Sequence, residues 1–295
     1  MRDVKTIVAA LDLEAGSDVV LGRAIQLARE HGARLVATHV IETDALSHAA
    51  ALSERGETTL KESLRRQAHA AISALLSEGG PVSADVEVSF GAPHTVITSM
   101  ANERDADLVV IGPGKGHSLR EKVLGSTADR IIRTAPAPVL VVRNRPTGSY
   151  RRVAGAVDFS PQSAAAVKDA RRLVPAARFE LVHAFSIPFT FEQAMLRAGT
   201  SQAEMDAYRS AKADRARQDL WQFARDVLGA QKIGTHFLEG EPGPALVRLA
   251  KSGDIDLLAL GPNGRGVVLQ TLLGSVTQRV LREAACDVLV ARIPG

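Results

Sequence analysis

The sequence predicts an α/β protein built from two tandem doubly wound sheets, each of five parallel strands in the order 3-2-1-4-5. Three observations predict it: the chain repeats itself, each repeat alternates apolar runs with helical segments, and those runs are apolar throughout, as in strands covered on both faces. Residues 107–143 (DLVVIGPGKG…PVLVVR) align without a gap on residues 256–292 (DLLALGPNGR…DVLVAR), from Asp107 on Asp256 to Arg143 on Arg292, at a constant offset of 149. Gly91 and Pro93 fall on Gly240 and Pro242 at the same offset. Earlier the offset drifts, to 146 where Asp12 matches Asp158 and to 144 where His39 matches His183, as loop-length changes within one fold would produce. The 295 residues therefore divide into domains 1–146 and 147–295, joined in RNRPTGSYRR, whose Pro146 and Gly148 suit a short linker.

In the first copy VKTIVAAL reads as strand 1, short, apolar and rich in β-branched residues. DVVLGRAIQLARE follows with apolar Val20, Ala24, Leu27 and Ala28 at helical spacing. ARLVATHVI is the second strand and TTLKESLRRQAHAAISALLSE a long amphipathic helix. ADVEVSF, a helix from Pro93 to about Glu103, ADLVVIG, a helix from Ser126 and PVLVVR complete the copy. In the second copy strand 1 ends at Asp158, strand 2 at LVHA and strand 4 at Gly261. Right-handed crossovers then place the topological switch between strands 1 and 4, where such sheets bind ligands.

Composition narrows the function classes. Hydrophobic content of 45% with 23% charged residues is that of a globular protein, and a net charge of +3 without a basic, aromatic-interleaved stripe argues against nucleic acid. No apolar run approaches the roughly 18 residues of a membrane helix, and the first residues lack the apolar core of a signal peptide. The single cysteine, Cys286, precludes an intrachain disulfide and suits a reducing compartment; the expected location is cytoplasmic.

Asp12, Asp158, Gly112 and Gly261 end strands 1 and 4 and so converge on the switch points. After strand 4 come GPGKGHSLREKVLGST and GPNGRGVVLQTLLGSVT. In Gly274-Ser275-Val276-Thr277 a glycine precedes hydroxyl residues where a helix begins; unsatisfied N–H groups and the helix dipole there favour a phosphate. Glycine before serine is equally an ordinary helix start. Neither G-x-x-x-x-G-K-[ST] nor G-x-G-x-x-G is present, because Val109 stands at the first glycine of the former and GPGKG follows the wrong strand for the latter. His39 and His183, ending strand 2, read as hydrogen-bonded sheet-edge histidines, and Cys286 as a packing residue; no spacing suggests a metal site. FSIPFTFEQAMLRAGTSQAEMDAYRS, with Phe185, Phe189, Phe191 and Met195, fits a cover over an apolar ligand, a partner surface or plain packing.

At these residues the chain resembles the universal stress protein family in tandem form. ATP-binding members carry G-x2-G-x9-G-[ST] after strand 4; Gly261, Gly264, Gly274 and Ser275 satisfy it, whereas copy one has Gly112, Gly125 and Ser126 with Lys115 at the second glycine. The resemblance implies a Rossmann-like fold of the adenine nucleotide alpha hydrolase type. It also implies ATP, with Mg2+, as ligand: Asp12 or Asp158 beside adenine and ribose, Val40 or Ala184 at the adenine, and Gly125, Ser126 and Thr127 or Gly274, Ser275, Val276 and Thr277 around the phosphates. Copy two is the expected site. Asp287 replaces the proline usual before the last strand, with more expected effect on the strand start than on the site. The expected function is regulatory nucleotide binding in a stress response. The alternatives are a slow ATPase, with Arg265 beside the copy-two loop as the nearest phosphate clamp, and a nucleotide-independent stress factor. PVLVVR and DVLVARI are expected to pair as an intrachain pseudo-dimer; a homodimer of two chains is left open.

Overall fold

The computed structural model describes residues 3–43, 57–114, 124–187, 189–229, 233–264 and 272–292. The first half comprises β1 (Thr6–Ala10), α1 (Ser17–His31), β2 (Arg34–Ile41), α2 (Glu57–Gly79), β3 (Ala84–Phe90), α3 (Pro93–Glu103), β4 (Leu108–Ile111), α4 (Ser126–Thr134) and β5 (Val139–Val141). The second comprises β6 (Arg152–Ala156), α5 (Pro161–Leu173), β7 (Arg178–Phe185), α6 (Phe189–Arg197), α7 (Gln202–Leu228), β8 (Gly234–Glu239), α8 (Pro242–Lys251), β9 (Leu257–Leu260), α9 (Ser275–Glu283) and β10 (Asp287–Val290).

All ten strands form one sheet in the order β3-β2-β1-β4-β5-β10-β9-β6-β7-β8. Read from either edge, each half has the expected 3-2-1-4-5 order. Pairing is parallel within each half and antiparallel at one place, where Val288, Leu289 and Val290 of β10 face Val141, Leu140 and Val139 of β5. The two last strands thus join the halves as expected. The hydrophobic core runs through that junction: Leu140 and Leu289 share a cluster with α1 and α5 on one face, while Val141 and Val288 share one with α4 and α9 on the other.

An aspartate at the foot of each fourth strand fastens strand 1. Asp107 Oδ2 accepts the N–H groups of Lys5 (2.8 Å) and Thr6 (3.1 Å), and Asp256 Oδ2 those of Arg151 (2.8 Å) and Arg152 (2.9 Å). These carboxylates satisfy the entry of the strand that carries each crevice aspartate. Among the described residues no helix is long and apolar enough to cross a membrane.

Candidate functional site: paired crevices at the switch points

β1 and β4 lie side by side in the first half, β6 and β9 in the second. Their carboxyl ends bring Asp12, Gly112 and Gly125 to one crevice and Asp158, Gly261 and Gly274 to the other. Because β5 and β10 run antiparallel, the two crevices open on opposite edges of the sheet.

Both aspartates stand two residues beyond their strands and tie the turn into the following helix. Asp12 Oδ1 accepts the Glu14 N–H (3.0 Å) and the Ser17 hydroxyl (2.8 Å); Asp158 Oδ1 accepts the Ser160 N–H (3.0 Å) and the Ser160 hydroxyl. The next residue is left-handed in both copies, Leu13 at φ 59° and Phe159 at φ 65°. Neither is glycine, so each turn holds strain on the order of 1 kcal/mol at the crevice. The histidines support the same turns: Nδ1 of His39 bonds the Leu11 carbonyl (2.8 Å) and Nδ1 of His183 the Val157 carbonyl (2.7 Å), the backbone role expected of them. Val40 and Ala184 follow directly at the ends of β2 and β7.

The loops after β4 and β9 close alike. The Gly125 N–H donates to the Pro113 carbonyl (2.9 Å) and the Gly274 N–H to the Pro262 carbonyl (2.8 Å). Helices α4 and α9 then start from these glycines with no side-chain cap, unlike α5, where the Ser160 hydroxyl accepts the Ser163 N–H at 3.1 Å. The first-turn N–H groups of α4 and α9 are therefore open to an anion. Ser126 and Ser275 are exposed, Thr127 and Val276 half-buried. Thr277 is buried, and its hydroxyl donates to the Gly261 carbonyl at 2.8 Å, so it holds the loop rather than facing the crevice. Gly264 is dictated by close approach, since a Cβ there would stand 2.7 Å from Asp158 Oδ2. In the first half the corresponding restraint sits one position earlier. Gly114 has φ +87°, and a Cβ on it would meet Gly125 Cα at 2.8 Å. Lys115 and Arg265 lie outside the described residues.

The description "Universal stress protein family" belongs to the family model that matches this chain twice, over residues 3–143 and 149–292. The chain belongs to the universal stress protein family. Among its relatives, Universal stress protein A homolog 1 of Coxiella burnetii is 30% identical over 138 residues, covering 47% of this chain and 95% of that protein. A universal stress protein from Archaeoglobus fulgidus superposes with a TM-score of 0.63 at 18% identity, covering 99% of this chain and all of that one. A Pseudomonas aeruginosa structure gives 0.66 at 18% identity, covering 98% and 93%. The fold, taken over both copies, is thus shared with these solved structures.

Two features of this universal stress protein escaped the sequence reading. Asp287 does more than shape a strand start: it is 1% exposed at the junction, where its Oδ1 accepts the N–H groups of Arg143 (2.7 Å) and Asn144 (3.1 Å). Its Oδ2 accepts the Tyr150 hydroxyl (2.5 Å), and Arg23 Nε stands 3.4 Å away. Burial, reinforced by Asp287, raises the Tyr150 phenol well above its ordinary value, which keeps it a donor. Burial likewise pushes the Cys286 thiol up to about 12, consistent with packing and not reactivity. The visible signal was a carboxylate where an apolar strand should begin. The second feature is α7, opened by a capping box in which Ser201 and Glu204 bond each other's backbone N–H. The S-x-x-E pattern in the sequence marks it.

Proposed function

We propose that the chain is a stress-response protein regulated by an adenine nucleotide, ATP carried with Mg2+, bound in the crevice of the second half. The observation that supports this most is the Gly264–Asp158 contact: the complete glycine pattern brings the β9 loop against the strand-1 carboxylate beside an uncapped helix start. Gly274, Ser275 and Val276 would hold the phosphates through the first turn of α9. Asp158 would face the ribose and adenine, and the backbone at Ala184 the adenine. Thr277 would act through the loop it fastens. Among the described residues no group of three or more His, Cys, Asp or Glu side chains is placed to hold a metal, so Mg2+ would come with the phosphates. Ligand at a hundred times its dissociation constant would add about 2.7 kcal/mol of stability, enough to make the folded population sense nucleotide.

The test is nucleotide content. Freshly purified protein is denatured gently and the released nucleotide counted per chain by chromatography, for wild type, Gly274→Val and Gly125→Val, with folding checked by circular dichroism. One ATP per chain, lost in Gly274→Val and kept in Gly125→Val, is the expected result. No nucleotide in wild type, together with no rise in Tm on adding millimolar ATP, overturns the proposal.

A further inference from the structure

A cavity of about 270 Å³ lies where the linker crosses the junction of the halves, and none of its lining residues belongs to either crevice. Its walls are the linker itself, the ends leading into β9 and β10, and Arg23 from α1. The junction has a pseudo-symmetric mate, because Asp107, Pro138, Val4 and Asp169 correspond to Asp256, Asp287, Tyr150 and Arg23 in the aligned copies. At the mate only about 10 Å³ remains, among Val4, Pro138, Asp169 and Leu289. The fold therefore does not require an opening here; the residues of one seam create it.

The two carboxylates in this cavity are already saturated with donors. Asp287 takes two backbone N–H groups and the Tyr150 hydroxyl, and Asp256 takes two backbone N–H groups and Arg152. Arg23 is 5% exposed and stacked on Tyr150 with its guanidinium carbon 4.0 Å from the ring centre; its Nη1 donates to Gln26 and to the Gly148 carbonyl (3.0 Å), and its Nε faces Asp287 at 3.4 Å without a hydrogen bond. Arg151 has no side-chain ion pair among the described residues. Arg145 and Lys251 are held by Asp18 and Glu283, in pairs whose four side chains are 37–71% exposed and readily exchanged. What the cavity offers an incoming group is thus a lining of four cationic side chains, three of them at the rim, against two carboxylates already occupied by donors.

We propose that this seam cavity binds a compact oxyanion-bearing molecule, its phosphate or carboxylate group taken by Arg151 while Arg145 and Lys251 turn in from the rim, with Arg23 adding its charge from the floor. Planar guanidinium groups suit both anions. The volume falls below the roughly 300–1,000 Å³ of sites for drug-sized ligands, which favours a small metabolite over a nucleotide. A ligand there would touch both halves and the linker at once and so tighten their junction.

Calorimetric titration with inorganic pyrophosphate and with citrate, at fixed ionic strength, tests this on wild type, on Arg151→Ala/Lys251→Ala, and on Gly125→Val and Gly274→Val. The expected result is binding of at least one probe to wild type, weakened about tenfold or more in the rim double variant, with a site of the same affinity remaining in both glycine variants whatever phosphate binding they remove from the crevices. Pyrophosphate alone binding assigns a phosphate ligand, citrate alone a carboxylate. Absence of binding by both probes at millimolar concentration overturns the proposal. So does affinity unchanged in the rim variant, or affinity lost in either glycine variant, which would place the anion in a crevice.

Discussion

The two crevices descend from one plan and differ at a few positions that decide what each can hold. In the second half Gly264 admits the Asp158 carboxylate, Asn263 is buried with its amide toward the Leu272 carbonyl (3.4 Å), and Thr277 ties the loop to Gly261. In the first half the same places carry Lys115, Gly114 and Ala128. Gly114 is left-handed whereas Asn263 is not, so the loops differ in backbone as well as side chain. The shared parts are those any strand–turn–helix of this kind needs: the tied aspartate, the left-handed residue after it, the histidine under the turn and the glycine-opened helix. The parts confined to one half are those that set how the loop after the fourth strand meets the strand-1 aspartate. The two copies share the frame and differ in the loop, and exchanging residues between copies is the direct way to probe that separation.

The largest effect is expected at the junction. Asp287→Pro copies Pro138 into the second seam; it removes a buried carboxylate and leaves the buried Arg23 without its counter-ion. Breaking one side of such a pair costs about 3–5 kcal/mol, measurable by urea unfolding. Adding Arg23→Leu should recover most of that loss, because the uncompensated charge goes with it. A cost below about 1 kcal/mol for Asp287→Pro alone would mean that the seam does not depend on this carboxylate.

Next comes Gly264→Lys, which copies Lys115 into the second crevice. Its Cβ would stand 2.7 Å from Asp158 Oδ2, so the loop and the carboxylate must part. Nucleotide affinity is expected to fall at least about a hundredfold, roughly 2.7 kcal/mol, with little change in urea midpoint. Retained affinity would show that the approach of loop to aspartate is not what binds.

How much of this was legible beforehand follows the same division. Strand order, the pairing of the last strands and both crevices could be read because apolar runs and glycines repeat at a fixed offset. The histidines at the sheet edge also behave as their positions suggested. Leu13 and Phe159 could not be read as left-handed, since leucine and phenylalanine advertise no such turn and tertiary context imposes it. Thr277 looked like a phosphate ligand because its hydroxyl follows a glycine, but the helical turn directs it inward. Asp287 and Arg23 are far apart in sequence, on different copies, and only the antiparallel closure of the sheet brings them together.

The mate of Arg23 supplies a pH-dependent comparison. Burial raises the Asp169 carboxyl from 3.8 to about 6, with Arg172 opposing. A carboxyl that holds its proton more tightly when folded stabilises the fold below its unfolded value and loses that contribution as pH rises toward 6. Asp169→Asn should abolish this fall, on the order of 2 kcal/mol, so that its stability relative to wild type improves between pH 4 and pH 6.5. A difference between the two proteins that is flat with pH would show that Asp169 ionises normally. The second seam carries Arg23 in that place.

The smallest exchange is Thr277→Ala, which copies Ala128. Removing the hydroxyl leaves the Gly261 carbonyl without its donor in a buried place, costing about 1–2 kcal/mol. The first half closes its loop without that bond, using the Gly125 N–H and the left-handed turn at Gly114. A stability loss in the second half therefore measures how far its loop relies on a side chain where its counterpart relies on backbone. If the loss in urea midpoint is accompanied by weaker nucleotide binding, Thr277 serves the ligand by holding the loop in place. Rescue then distinguishes that positioning role from direct contact: Thr277→Ser restores the hydroxyl, and with it the bond to Gly261, at the same site. Recovery of both stability and binding together in Thr277→Ser, against recovery of binding alone, separates a loop fastener from a phosphate ligand.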